Sequence, residues 1–260
     1  MSYGTLYGVG VGPGAPDLMT LRAIRVLTSV DVIAIPRSND FGNSIAWQIA
    51  QPHLGEMAGQ ERLFLTFPMS TDPARVVPAW RKALVEIGQR LEAGRSVAFI
   101  SEGDPLVYST FVYLLREAPL RWPGIRIEIV PAVTSITAVP AAAGIPLADG
   151  QERVAILPAA YGVEDLEAVL NLFDTVVLMK IGPNMAQVVD LLERKGLLDK
   201  AVYVSKATMT QQQVARDVRE IRASRGDCLA MLVIAQRQRS GVLLGEVPRR
   251  DRALPDEVRP

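Results

Sequence analysis

The sequence predicts an α/β protein of two domains, with mixed, mostly parallel sheets and a ligand cleft between them. Three observations carry this. Apolar runs of strand length alternate with amphipathic runs of helical spacing. The alternation falls into two series that join near residues 118–135. Glycine- and proline-bearing turns follow several strands, at the edge where open α/β sheets place ligands. A length of 260 residues suffices for two cores. The expected division is an N-terminal domain over 1–122, a C-terminal domain over 123–246, and a charged, loosely held tail over 247–260.

In the first series, residues 5–11 read as a strand and 17–30 as a helix, with Leu18, Leu21, Ile24 and Leu27 at helical spacing. A short strand over 31–35 stops at Pro36. A weak helix over 42–50 and a strand over 63–67 follow. The stripe Val76, Val77, Trp80, Leu84, Ile87, Leu91 marks a helix over 73–93. Residues 96–101 form the fourth strand, 106–117 the helix after a Gly-Asp-Pro turn, and 125–130 the fifth strand.

The second series opens on an alanine-rich helix, 134–143, ended by Gly144 with Pro146 beyond it. Strands over 153–157, 175–180, 201–205 and 227–235 alternate with helices over 163–172 and 184–195. The run containing Gln211, Gln212 and Gln213 reads as polar and helix-like.

Composition narrows the chemistry. Lys+Arg and Asp+Glu are equal at 28 each, so no global field favours nucleic acid or an anionic membrane. Aromatic residues are 6%, too few for a base-stacking platform. No run of 18 apolar residues occurs, and the start lacks a basic leader, so a cytoplasmic protein is expected. His53 and Cys228 are the single histidine and cysteine. An internal disulfide and a Cys/His zinc cluster are thereby excluded, and no metal site is expected. His53 lies in a polar, helix-breaking context, and Cys228 reads as a buried structural thiol.

Two loops stand out. Ser101-Glu102-Gly103-Asp104-Pro105 leaves a buried strand, with Gly103 permitting close backbone approach and Asp104 offering an acceptor or a helix cap. Gly8-Val9-Gly10-Val11-Gly12-Pro13-Gly14 leaves the first strand and brings bare backbone near a ligand. Residues 10–15 also satisfy G-x-G-x-x-A, the dinucleotide fingerprint of a nicotinamide-dependent reductase. Pro13 inside the loop and the lack of an acidic residue closing the second strand count against that reading.

Taken in order, the glycine loop leading into Leu18-Met19-Thr20-Leu21-Arg22-Ala23 resembles the opening motif of the tetrapyrrole (corrin/porphyrin) methylases. So do the Gly-Asp-Pro loop, Glu128-Ile129-Val130-Pro131-Ala132-Val133-Thr134-Ser135, and Val177-Leu178-Met179-Lys180. Leu178-Met179-Lys180-Ile181-Gly182 and Lys206-Ala207-Thr208-Met209 are most similar to members that methylate C20 of precorrin-2, or of cobalt-factor II, in cobalamin synthesis. The resemblance implies S-adenosyl-L-methionine as cofactor, a tetrapyrrole acceptor and a homodimer. It also implies that Pro13, Gly103, Asp104 and Val107 hold the cofactor from one domain and Thr134, Ser135, Met179, Ala207 and Thr208 from the other. One departure is Ala132, where the family has glycine; a left-handed backbone there would strain alanine, and otherwise its methyl narrows the pocket.

Methyl transfer by in-line displacement needs no metal and no nucleophilic side chain, and positioning can supply about 7–11 kcal/mol of its barrier. The acceptor's carboxylate arms call for cations, and Arg37, Arg153, Lys180 and Lys206 stand near predicted strand ends. Trp80 reads as core, Tyr108 as core filler or packing under the cofactor, and Met179 as an adenine contact or a gap filler. Competing readings are a same-fold methylase acting on another tetrapyrrole carbon, diphthine or RNA, the reductase, and an inactive binding homologue.

Overall fold

A computed structural model describes residues 3–39, 42–55, 58–70, 72–159, 163–223 and 229–237. Cys228 and the 247–260 tail lie outside the described residues. The first sheet has five parallel strands, β1 (Leu6–Gly10), β2 (Val32–Arg37), β3 (Glu61–Thr66), β4 (Val97–Ser101) and β5 (Ile127–Val130). Their spatial order is β3-β2-β4-β1-β5. Because side chains alternate across a strand, β4 serves both faces. Val97 and Phe99 pack with Leu84, Ile87 and Leu91 of α3 (Pro73–Glu92) and with Phe111 and Leu114 of α4 (Phe111–Arg121). Ala98 and Ile100 pack with Ala23 and Leu27 of α1 (Leu21–Ser29) and with Ile49 of α2 (Ile45–Ala50).

The second sheet is mixed. Its strands are β6 (Val154–Pro158), β7 (Thr175–Met179), β8 (Ala201–Ser205), β9 (Gln213–Ala215) and β10 (Ala230–Ala235), in the order β6-β7-β10-β8-β9. Only β6 and β7 pair in parallel; β10 runs antiparallel to both β7 and β8. One face packs on α6 (Leu166–Leu172) and α7 (Met185–Arg194), through Leu170, Val188 and Leu192. The other face meets α5 (Ser135–Ala143) through Val139 and Ala143. Gly144, at φ 64, ends α5, with the Ile145 amide returning to the Pro140 carbonyl at 3.0 Å.

Four expectations are revised. β5 pairs with β1, so the chain leaves the first sheet after Val130 rather than at residue 122. The Gln-rich run ends in β9, a three-residue edge strand too short to offer a long unpaired template. Leu21 is 76% exposed, and Thr20 caps α1 instead, its hydroxyl accepting the Ala23 amide at 3.1 Å. The helix after Gly-Asp-Pro begins at Phe111, because Tyr108 takes φ 50 and cannot lie within a right-handed turn.

Candidate functional site

All strands of the first sheet point their carboxyl ends the same way, so the loops after β1 and β4 emerge side by side. There they pair. The Gly103 amide donates to the Gly12 carbonyl at 2.8 Å, and the Gly12 amide to the Gly103 carbonyl at 3.4 Å. Gly12 (φ 89) and Gly103 (φ 66) are both left-handed, a conformation that costs glycine little. Asp104 continues the lock: one carboxylate oxygen accepts the Leu106 amide at 2.9 Å, the other the Ala132 amide at 3.0 Å. Its carboxylate thus braces the loop rather than standing open to a ligand.

Ala132 is not among the residues with positive φ, so alanine carries no left-handed strain. The close approach falls on Gly10 instead: a Cβ there would lie 2.6 Å from the Ala132 methyl and 2.6 Å from the Gly103 oxygen.

The second sheet contributes turns at the ends of β7 and β8. Lys180 (φ 55) follows β7 and Lys206 (φ 49) follows β8. Their amides donate to the carbonyls of Ala230 and Leu229, each at 3.1 Å, so both lysines flank the start of β10. Thr208, at φ 70, reaches across to the first sheet's glycine loop: its hydroxyl accepts the Ala15 amide at 3.0 Å. Gly14 lies against the same turn, where a Cβ would come within 2.6 Å of Met209 and 2.9 Å of the Ala207 oxygen. Among the described residues, the non-glycine residues with positive φ are Tyr108, Lys180, Lys206 and Thr208. Each such conformation costs about 1–3 kcal/mol and tends to cluster at functional sites.

Between the two sets of turns lies a cavity of about 670 Å³. Pro13, Gly103, Asp104 and Val107 line it from the first sheet, and Thr134, Ser135, Met179 and Ala207 from the second unit and its crossover. Arg37, Lys180 and Lys206 also line it. Thr208 does not: it acts one step behind, holding the glycine loop. Arg153 does not either. It precedes β6, whose carboxyl end runs with that of β7, so it sits at the opposite edge of the sheet. There its amide donates to buried Asp174 at 2.8 Å and its guanidinium lies over Phe173 at 5.9 Å.

Further residues complete the walls. Ser101 at the end of β4, with Glu102 and Ser109, belongs to the stretch that stood out in the sequence, whereas Phe67, Met69, Asn43 and Ser44, from segments following β2 and β3, were not singled out. The usable signal was position alone: every segment after a parallel strand reaches this edge. His53 is elsewhere, with Nε2 2.8 Å from the Pro16 carbonyl oxygen. Among the described residues, no group of three His, Cys, Asp or Glu could hold a metal, and no helix is long and apolar enough to cross a membrane.

The architecture is that of a two-sheet α/β enzyme whose ligand cleft is framed by glycine turns and strained turns from both sheets. The family model of the tetrapyrrole (corrin/porphyrin) methylases matches residues 5–221, and the chain belongs to that family. It is 36% identical over 223 residues to a cobalt-precorrin-2 C(20)-methyltransferase of Salmonella typhimurium, covering 85% of this chain and 92% of that one. It is 32% identical over 218 residues to a precorrin-2 C(20)-methyltransferase of a Sinorhizobium species, covering 79% of this chain and 85% of that one. A uroporphyrin-III C-methyltransferase from Thermus thermophilus, solved in complex with S-adenyl homocysteine, shares the fold at TM-score 0.62 and 20% identity, covering 90% of this chain and 92% of that one.

Proposed function

We propose that this chain is an S-adenosyl-L-methionine-dependent C-methyltransferase acting on C20 of precorrin-2 or its cobalt-bearing counterpart, cobalt-factor II, in cobalamin biosynthesis. The observation that carries the reading is the inter-sheet cavity where the Gly12–Gly103 bridge faces the Lys180 and Lys206 turns. The cavity fits the cofactor in one particular respect. Gly103 lines the cavity, and a Cβ placed on it would meet no protein atom within 4 Å, so the backbone there is open to close approach. When bound, S-adenosyl-L-methionine supplies an electrophilic methyl group on a sulfonium.

The chain's part is to bind, orient and exclude water. Pro13, Gly103, Val107, Thr134, Ser135, Met179 and Ala207 hold the cofactor, with Asp104 bracing the Gly-Asp-Pro loop and Thr208 positioning the glycine loop from behind. Arg37, Lys180 and Lys206 receive the acceptor's carboxylates, and their charge raises the local concentration of a polyanionic substrate. Cavity-lining carboxylates are confined to Glu102 and the braced Asp104 among the described residues, which keeps the cleft receptive to anions. Relatives of both printed names, with and without cobalt, support the choice of acceptor. The reading further takes the enzyme to be cytoplasmic and, as the family resemblance implies, a homodimer.

Calorimetry with S-adenosylhomocysteine against nicotinamide cofactors separates the methylase from the reductase. An assay with the methyl donor and precorrin-2 or cobalt-factor II, read by mass, is expected to add one methyl group. Binding of nicotinamide alone, or no mass gain with either acceptor, overturns the reading.

A further inference from the structure

Tyr108 occupies a position that packing does not explain. It lines the cavity, is 48% exposed and holds φ 50, a region that bulky side chains rarely enter. The conformation is enforced from both sides. Before it, the Val107 amide donates to the Asp104 carbonyl at 3.3 Å, closing a turn on the braced aspartate. After it, the Ser109 hydroxyl donates to buried Ser101 Oγ at 2.8 Å and accepts the Phe111 amide at 3.1 Å. The backbone is therefore held so that the ring stands at the cavity wall.

The other exposed aromatics have partners. The guanidinium of Arg37 lies 5.4 Å from the Phe64 ring centre, and Tyr113 leans on Trp80 at 5.6 Å between centroids. Phe67 and Phe99, which also line the cavity, are locked into the same aromatic cluster, 6.1 Å apart. Tyr108 makes neither a ring contact nor a cation contact among the described residues. A strained, unstacked ring at a cavity wall is a platform waiting for a flat partner.

We propose that Tyr108 is a specificity-determining residue whose ring stacks on the conjugated face of the tetrapyrrole acceptor. This rests on the methylase reading for the identity of the acceptor. The acceptor is favoured over the cofactor because Tyr108 shares the cavity wall with Arg37, Lys180 and Lys206, the cations that receive the acceptor's carboxylates. The ring's apolar face complements the ammonium groups of Lys180 and Lys206: one holds the macrocycle, the others its arms.

The test uses the full-length chain with Tyr108→Asn and Tyr108→Phe. Asparagine tolerates left-handed φ and removes the ring, and phenylalanine keeps the ring. With uroporphyrin III as a stable, flat, polycarboxylate probe, calorimetry is expected to show affinity at least tenfold weaker for Tyr108→Asn and within threefold of wild type for Tyr108→Phe. S-adenosylhomocysteine affinity is expected to stay within twofold and the melting temperature to hold or rise. In turnover with precorrin-2, Tyr108→Asn should raise KM far more than it lowers kcat. Unchanged probe affinity and KM in Tyr108→Asn overturns the proposal, as does a loss confined to S-adenosylhomocysteine. A wild type that binds the probe through Tyr108 but methylates neither precorrin-2 nor cobalt-factor II overturns the choice of acceptor and leaves the stacking role standing. A wild type that binds neither tetrapyrrole overturns both.

Discussion

One carboxylate oxygen of Asp104 accepts the amide of Ala132 at 3.0 Å, tying the loop after β4 to the exit of β5. The other accepts Leu106 within its own turn. Two backbone donors on one carboxylate fix the Gly-Asp-Pro loop against the glycine loop, whose Gly12 pairs with Gly103 next door. Asp104 therefore acts through loop geometry.

Replacing Asp104 by alanine leaves two amides without their acceptor. Cofactor affinity is expected to fall at least tenfold, about 1.4 kcal/mol. Asp104→Asn should be nearly as damaging, because an amide NH₂ would oppose one of the backbone N–H groups. Calorimetry with S-adenosylhomocysteine checks both.

Thr208 links the units through a single hydroxyl acceptor on Ala15. Thr208→Ala is expected to cost about 1 kcal/mol of stability and to weaken cofactor binding, while Thr208→Ser keeps the acceptor and both properties. Denaturant titrations of the two variants make the comparison.

Gly14→Ala would drive a methyl into Met209 and the Ala207 carbonyl. A backbone oxygen cannot move aside as a flexible side chain can. Cofactor affinity should drop by more than it does in Thr208→Ala, measured by the same calorimetry.

Lys180→Asn and Lys206→Asn remove the charge with a side chain that accepts left-handed φ. Each is expected to raise KM for the polycarboxylate acceptor about tenfold and to flatten its dependence on ionic strength. Arg153→Gln, at the far edge of the sheet, should leave KM unchanged. Steady-state kinetics over a salt series decides the matter.

At the amino edge of the first sheet, hydrogen bonding from Arg90, joined by Arg95 at 2.6 Å, holds the Glu61 carboxyl below the ordinary glutamate value. A depressed folded-state pKa contributes stability above the unfolded value, and that contribution fades as pH falls through the folded one. The stability gap between wild type and Glu61→Gln should be full at neutral pH and shrink below about pH 4.5, the ordinary value. Denaturant titrations from pH 7 to pH 3 read it directly.

Much of this molecule is legible in its sequence. Buried parallel strands such as β4 announce themselves as unbroken apolar runs, and the loops that follow them must share one edge. That rule brought the glycine and Gly-Asp-Pro loops to the cleft edge, and the family resemblance singled out Pro13, Gly103 and Val107 within them, all of which line the cavity. It misplaced Arg153, because a residue near a strand can precede its start as readily as follow its end. β9 escaped notice since three edge residues carry no period, and their pairing with β8 is decided by distant contacts. The left-handed backbones of Tyr108, Lys180 and Lys206 were equally hidden, because neither tyrosine nor lysine signals that conformation in sequence. The capping role of Asp104 toward its own turn was open from the sequence, but its bond to the Ala132 amide depends on β5 lying beside β1.

The most direct measurement follows a labelled methyl group to its destination. The protein is incubated with ¹³C-methyl S-adenosyl-L-methionine and precorrin-2 or cobalt-factor II, and the product's carbon spectrum is recorded. One enriched methyl attached at C20 is the expected result. Enrichment at any other carbon, or none at all despite bound donor and acceptor, would contradict it.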